Sequence, residues 1–348
     1  MPARQILEES VRAGAFPGAV VVVGDNRHVI FEAAAGRFEF DPASAEVRSD
    51  TIYDVASLTK VVVTTTLAMM LFEEGKLDLD AQVDAYTIRQ LLTHSSGLPA
   101  QLPLPLGEGR VRVSGFEPDC DPHPAPLFVA AFGRSLRFTL SQGERVKPGT
   151  KVIYSDVGFI VLGQIIENLA GKKLDMLARE RIFEPLGMKD TSFNPDPSLL
   201  PRIAPTAPGT RGRVHDPTAA AMGGVAGHAG LFSTALDLAI FCRTMLRRDK
   251  TIELFTRVDE RVAGSTRALG WDTPSGENSA AGRYFTKGSF GHTGFTGTSM
   301  WIDPNRKLSV IFLTNRVFPN AGNVQIRDIR PKLHDAVMSS LIPVDTRK

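Results

Sequence analysis

The chain has 348 residues, of which 43% are hydrophobic and 22% charged, with 31 glycines and 23 prolines; this ordinary globular composition excludes a disordered or low-complexity protein. Forty Lys+Arg against 38 Asp+Glu leave a net charge of +2, and no basic run of the kind that binds phosphate backbones or anionic lipid is present, which disfavours nucleic acid as a partner. The length suits one large domain or two intertwined ones.

The N-terminal residues Met1 to Glu9 include acids where a signal peptide needs an unbroken apolar run, so the chain as written reads as cytoplasmic; a mature form whose leader was removed would instead be periplasmic or secreted. No segment approaches the roughly 20 apolar residues of a membrane span. Residues 3–14 have helical spacing (Ile6, Leu7, Val11) and stop at Gly14, and the runs Ala19 to Val23 and His28 to Phe31 flank Gly-Asp-Asn-Arg as a hairpin. A long apolar stretch, Val61 to Phe72, follows Ser57 and ends at Gly75, reading as a buried helix. The segment Gln101 to Pro126 is rich in Pro and Gly and predicts a long surface loop.

Further on, Gly158 to Leu169 and Leu174 to Phe183 predict two helices, with Pro185-Leu186-Gly187 as the break, and Ser233 to Arg247 predicts another, capped by Ser233 or Thr234. Gly297 to Ile302 and Leu308 to Thr314 form a second β-rich pair around Asp-Pro-Asn-Arg, before a final helix from about Asn323 to Leu341. Strands at both ends with helices between predict an α/β (α+β) protein: an antiparallel sheet from the two termini, flanked by terminal helices, with an inserted, mostly helical region. Residues 1–55 and 265–348 would form the sheet domain, 56–264 the helical domain, and the active site would lie at their interface. Cys120 and Cys242 are too few and too isolated for a disulfide scaffold or CxxC metal chemistry, and whether they pair is open.

Three polar clusters carry chemistry. Ser57-Leu58-Thr59-Lys60 opens the buried helix, placing a serine where free N–H groups favour developing negative charge and a lysine one turn on, within reach of the hydroxyl. Desolvation would lower that lysine's proton affinity and let it act as a base toward the alcohol. Tyr154-Ser155-Asp156 precedes a helix and offers a phenol able to shuttle a proton, although a buried tyrosine also commonly just satisfies a backbone carbonyl. Gly291 to Gly297, with Gly294 between them, lets a strand approach a ligand closely, as an oxyanion donor and a substrate-pairing edge require; a bulge or bend is the plainer use of such glycines.

In this order, SxxK, Tyr-Ser-Asp and His-Thr-Gly resemble the motifs of the serine penicillin-recognising hydrolases, with spacing similar to the class C β-lactamase branch and its D-peptidases and esterases. The blocks Ile88 to Pro99, Phe183 to Met188 and Val214 to Ser233 resemble the same branch, and the last is similar to penicillin-binding protein 4B and its β-lactamase-like relatives. The resemblance covers nearly the whole chain and implies a β-lactamase/transpeptidase-like fold and an acyl-enzyme mechanism. It implies Ser57 as nucleophile, Lys60 as its proton acceptor, Tyr154 as second acid and base, and the N–H groups of Ser57 and Phe295 as oxyanion hole. Ser155, Asp156, His292, Thr293 and Gly294 would face substrate, and neither metal nor organic cofactor is implied. The partners expected are small-molecule esters, β-lactams or D-amino-acid peptides.

Two residues depart from the class C pattern. Asp156 stands where the motif has Asn, and an ionised acid cannot donate to a substrate carbonyl. His292 stands where many members have Lys, and histidine is mostly neutral at pH 7. Both changes tilt the expectation toward esters or D-amino-acid amides, with a weak β-lactamase or D,D-carboxypeptidase as the alternative and a catalytically silent ligand sensor as the non-enzymatic one. The segment between Asp80 and Ile88 is also shorter than in relatives, which either opens a wall of the cleft or trims a surface loop. His94, His215 and His228 read as loop-bracing residues.

Overall fold

Five consecutive apolar residues, Ala19 to Val23, offer no polar face to water, and the strand they form is buried on both sides. In the computed structural model, which describes residues 1–101, 146–276 and 279–341, this strand is β1 (Gly18–Asp25), between α1 (Pro2–Arg12) and β2 (Val29–Gly36). The chain continues through β3 (Tyr53–Asp54), a π-helical segment (Lys60–Thr65) running into α2 (Thr66–Glu73), the hairpin β4 (Gln82–Val83) and β5 (Tyr86–Thr87), and α3 (Ile88–Leu92). Beyond residue 146 come α4 (Asp156–Ala170), α5 (Leu174–Ala178), α6 (Glu184–Leu186), β6 (Ser192–Phe193), α7 (Pro217–Ala221), β7 (Leu231–Ser233), α8 (Ala235–Met245) and α9 (Lys250–Thr256). The described chain closes with β8 (Phe290–Thr293), β9 (Ser299–Asp303), β10 (Leu308–Thr314) and α10 (Ile326–Leu341).

The main sheet has the order β2-β1-β10-β9-β8 and is antiparallel throughout. Pairing of β1 with β10, Ala19 opposite Thr314 through Asp25 opposite Leu308, joins the two ends of the chain at the sheet's centre. Successive side chains alternate faces, so Val20 and Val22 enter the core shared with the helical region while Ala19, Val21 and Val23 pack with Leu7 of α1 and Leu333 and Val337 of α10. Each fully buried valine contributes roughly 1.5–3 kcal/mol from area removed from water. The N-terminal and C-terminal hairpins, the terminal helices and the helical middle thus stand as the sequence predicts.

Boundaries and small elements differ. The final helix begins at Ile326 rather than Asn323, and the helix predicted over Leu174 to Phe183 keeps α geometry only to Ala178 before a π-helical segment, Arg179–Phe183. A second sheet, β3-β7-β6, and the β4-β5 pair were not foreseen, because strands of two or three residues carry too little alternation to read. The β4-β5 hairpin fills the short segment after Asp80 and delivers Thr87 as a capping box with Gln90 on α3. The loop expected beyond Gln101 and Cys120, and with it any Cys120–Cys242 bridge, lie outside the described residues; Cys242 itself is buried in α8. Among the described residues, no helix is long and apolar enough to cross a membrane.

Candidate active site

The turn that presents Ser57 is built from β3. Ala56, just before the serine, has φ +48°, a left-handed conformation that costs a non-glycine residue about 1–3 kcal/mol. The strain is offset locally: the Ala56 N–H donates to Asp54 Oδ1 at 2.8 Å, Thr296 Oγ1 donates to the Asp54 carbonyl at 2.8 Å, and Thr298 Oγ1 donates to the Val55 carbonyl at 3.0 Å. Asp54 Oδ2 also accepts the His215 N–H at 2.7 Å. Burial pushes the Asp54 carboxyl up to about 6, against these two N–H donors and with the help of the Asp216 charge.

Lys60 opens the π-helical segment, a backbone irregularity common at functional sites, and its side chain is fully buried. The ammonium has three protons and meets three acceptors: Ser57 Oγ at 3.0 Å, Asp156 Oδ1 at 2.6 Å and the His228 carbonyl at 3.1 Å. The Tyr154 ring centroid lies 4.9 Å from Nζ. Burial works against the ammonium, but the electrostatic pull of Tyr154 and then of Asp156, with the Asp156 hydrogen bond, outweighs it and holds its pKa above the ordinary lysine value. This reverses the expectation that desolvation leaves Lys60 a weak, base-like amine. The reason is the phenol of Tyr154, with a carboxylate 96 positions from the lysine, neither of which the motif spacing alone aims at it.

Ser155 and Asp156 also differ from expectation. Ser155 is buried and caps α4; its hydroxyl donates to the Pro99 carbonyl at 2.6 Å and accepts the Gly158 N–H at 3.0 Å, which leaves it no proton to donate to a substrate. Asp156, in the first turn of the same helix, turns Oδ1 onto Lys60 instead of into a substrate site, with its side chain 16% exposed.

Two histidines frame Tyr154. His94 accepts the Ser155 N–H on Nδ1 at 3.0 Å, and its ring lies 4.5 Å from that of Tyr154, so it braces the phenol from behind. His292, on β8, lies 5.9 Å from the same ring and donates Nδ1–H to the Thr293 carbonyl at 2.8 Å, which leaves Nε2 as a bare acceptor. Burial, and then the charges of Arg267 and Lys60, hold both imidazoles well below the ordinary histidine range, so neither is a cation at neutral pH. The cation at this end of the site is Arg267, whose guanidinium stands 5.5 Å from the Tyr154 ring centroid and 3.8 Å from Asp272.

The second loop of the site follows β8. Gly294 is required there by space, since a Cβ would sit 2.1 Å from Thr298 Oγ1 and 2.6 Å from the Val55 carbonyl. This contact, with the two threonine bonds, presses the turn 294–298 against the turn carrying Ser57. The N–H groups of Ser57 and Phe295 find no acceptor among the described residues. Phe295 itself is exposed, with His215 stacked on it at 5.7 Å. The loop around Gly223 to Gly230 closes the floor: Thr64 Oγ1 donates to the Gly227 carbonyl, and His228 bonds Asp216 through Nε2 at 2.9 Å while its carbonyl holds Lys60.

The Beta-lactamase family model matches residues 3–332. The chain belongs to the Beta-lactamase family. It is 31% identical over 369 residues to the N-acetylmuramyl-L-alanine amidase of Bacillus subtilis (strain 168), covering 90% of this chain and 80% of that protein. It is 30% identical over 397 residues to a Salmonella paratyphi B protein named as a D-alanyl-D-alanine carboxypeptidase, covering 98% and 86%. Among solved structures, the β-lactamase/D-alanine carboxypeptidase of Yersinia pestis shares the fold with a TM-score of 0.68 at 20% identity, over 98% of this chain and 99% of that one. As a family member the protein is a serine hydrolase.

Within that family frame, sequence reasoning brought Ser57, Lys60, Tyr154, Asp156, His292, Thr293, Gly294 and Phe295 into one region but missed Asp54, Arg267, Arg316 and Arg330. The acid at 54, between Tyr53 and Val55 in an apolar run, was a readable signal of a buried polar role. The three arginines belong to no motif.

Proposed function

We propose that the protein hydrolyses an amide bond adjacent to a D-configured residue, as in cell-wall peptides, through an acyl-enzyme on Ser57. The observation that carries this reading is the 3.0 Å contact between Ser57 Oγ and a fully buried Lys60 Nζ. Lys60 and Tyr154 are read as one coupled acid–base unit that must have lost a proton before it can take one from the serine. Ser57 Oγ then bonds to the substrate carbonyl carbon, and the developing oxyanion is received by the N–H groups of Ser57 and Phe295. The C–N bond breaks, the proton passes to the departing amine, and water repeats the sequence to release the acid and restore the serine.

Arg267 supports a substrate bearing a carboxylate, since it supplies the charge that His292 does not. A second reading, ester hydrolysis, is favoured by Asp156: its acceptor-only carboxylate, turned onto Lys60, offers no donor to a substrate amide carbonyl. Thr293, on the strand edge, is the remaining candidate for hydrogen bonding to either substrate. Intact-protein mass spectrometry after a fluorophosphonate or penicillin probe should show one adduct, on Ser57. No adduct would favour a catalytically silent fold. Side-by-side turnover of a D-Ala-D-Ala peptide, a short-chain p-nitrophenyl ester and nitrocefin orders the substrates, and brisk nitrocefin turnover without the other two would overturn this ordering.

Asp156 gives a pH prediction. Its negative charge favours the protonated form of the Lys60–Tyr154 unit, so Asp156→Asn lets the proton leave more readily. The ascending limb of kcat/KM against pH is expected to move to lower pH. An unmoved limb would remove Asp156 from the acid–base unit.

A further inference from the structure

Two arginines outside the motifs grip the peptide units on either side of Phe295. Arg330, on α10, donates through Nη2 to the Gly294 carbonyl at 3.3 Å and to the Thr298 carbonyl at 3.0 Å. Arg316, after β10, donates through Nε to the Phe295 carbonyl at 2.9 Å, and its guanidinium carbon lies 4.7 Å from the Phe295 ring centroid. Its Nη1 reaches two more carbonyls, of Ala321 and Asn323. Arg330 is only 8% exposed and its Nε is buried without a partner. Neither guanidinium has a carboxylate partner among the described residues.

A buried cation without a counter-charge is expensive, and structural arginines are ordinarily paired. Here burial lowers the Arg330 guanidinium to about 10, which still leaves it charged at neutral pH. Packing alone would be served by an apolar side chain. The chemistry at Phe295 gives the charge a use: the carbonyl of Gly294 and the N–H of Phe295 belong to one peptide unit. A cation against that carbonyl draws electron density toward the oxygen and leaves the N–H more acidic, in a site where field effects are weakly screened.

We propose that Arg330, with Arg316 securing the next carbonyl, is a positioning residue that polarises the Gly294–Phe295 peptide unit and so strengthens its N–H as an oxyanion donor. The inference rests on the acyl-enzyme reading above. Its effect belongs to the transition state, where charge develops on the substrate oxygen, and not to ground-state binding.

The test compares wild type, Arg330→Met, Arg330→Lys and Arg316→Met, each checked for folding by circular dichroism, with a p-nitrophenyl ester as substrate and a boronic acid as tetrahedral mimic. Arg330→Met is expected to lower kcat about tenfold with KM little changed, and to weaken the boronic acid by a similar factor. The infrared carbonyl stretch of the Ser57 acyl-enzyme should move to higher wavenumber, because the ester oxygen is held less strongly. Arg330→Lys, which keeps the charge, should recover most of each effect, a rescue that a merely structural arginine would not show. If Arg330→Met does not fold, the comparison runs on Arg330→Lys and Arg316→Met, where an unchanged carbonyl stretch and kcat in Arg316→Met overturn the proposal. Wild type that acylates while folded Arg330→Met matches it in kcat, boronate affinity and carbonyl stretch overturns the proposal alone. Wild type that gives no Ser57 adduct overturns the reading beneath it, and the proposal with it.

Discussion

Lys60→Met is expected to slow acylation of Ser57 by about 10⁴–10⁶-fold, the range seen when one member of a nucleophile–base unit is removed. The argument is local. Lys60 is the only side chain bonded to Ser57 Oγ among the described residues, and it joins that oxygen to Asp156, with the Tyr154 ring centroid 4.9 Å from Nζ. Methionine fills a similar volume without a proton to give or take. The same change leaves the Asp156 carboxylate facing an apolar chain, so the folded state also loses stability, by less than the roughly 3–5 kcal/mol of a fully buried pair because Asp156 retains some solvent contact. A double variant, Lys60→Met with Asp156→Asn, should recover thermal stability while acylation stays lost. Time-resolved labelling with a fluorophosphonate and a thermal melt separate the two effects. Labelling of Lys60→Met within tenfold of wild type would refute the role given to the amine.

Gly294→Ala should cost about 10²–10³-fold in kcat with little change in KM. A methyl group there would meet Thr298 Oγ1 at 2.1 Å and the Val55 carbonyl at 2.6 Å, and only the first neighbour is a side chain that can turn away. Val55, just after β3, is fixed by its N–H, which donates to the Leu231 carbonyl at 3.0 Å, and by the Leu58 N–H, which donates to its carbonyl at 3.1 Å, so the 294–298 turn must retreat instead. Its retreat carries the Phe295 N–H away from the Ser57 N–H, and a donor displaced by a fraction of an ångström no longer meets the oxyanion. Overpacking of this kind also destabilises by about 1–3 kcal/mol. Steady-state kinetics beside a boronic acid inhibitor measure the loss; a variant that keeps wild-type kcat would show that the turn does not set the oxyanion geometry.

The sequence by itself determined the elements and much of the chemistry. Runs such as Ala19 to Val23 and Leu308 to Thr314 are short, apolar, rich in β-branched residues and bounded by turn residues, which suits buried strands, and Ser57 with Lys60 one turn on is a local relation that a helix start supplies. What only the tertiary structure decided is the charge state and wiring of the site. Lys60 is held charged by Tyr154 and by Asp156, which α4 brings to it, and His292 is neutral because burial and Arg267 act on it together. Ser155, an apparent substrate contact, turned out to cap a helix. Arg330 and Arg316 reach the Phe295 turn from a terminal helix and a strand end that carry no motif. Periodicity and spacing record what neighbours along the chain do to one another, whereas a pKa or a polarised peptide depends on desolvation and on charges a few ångströms away in space, and these are fixed only once distant segments have packed.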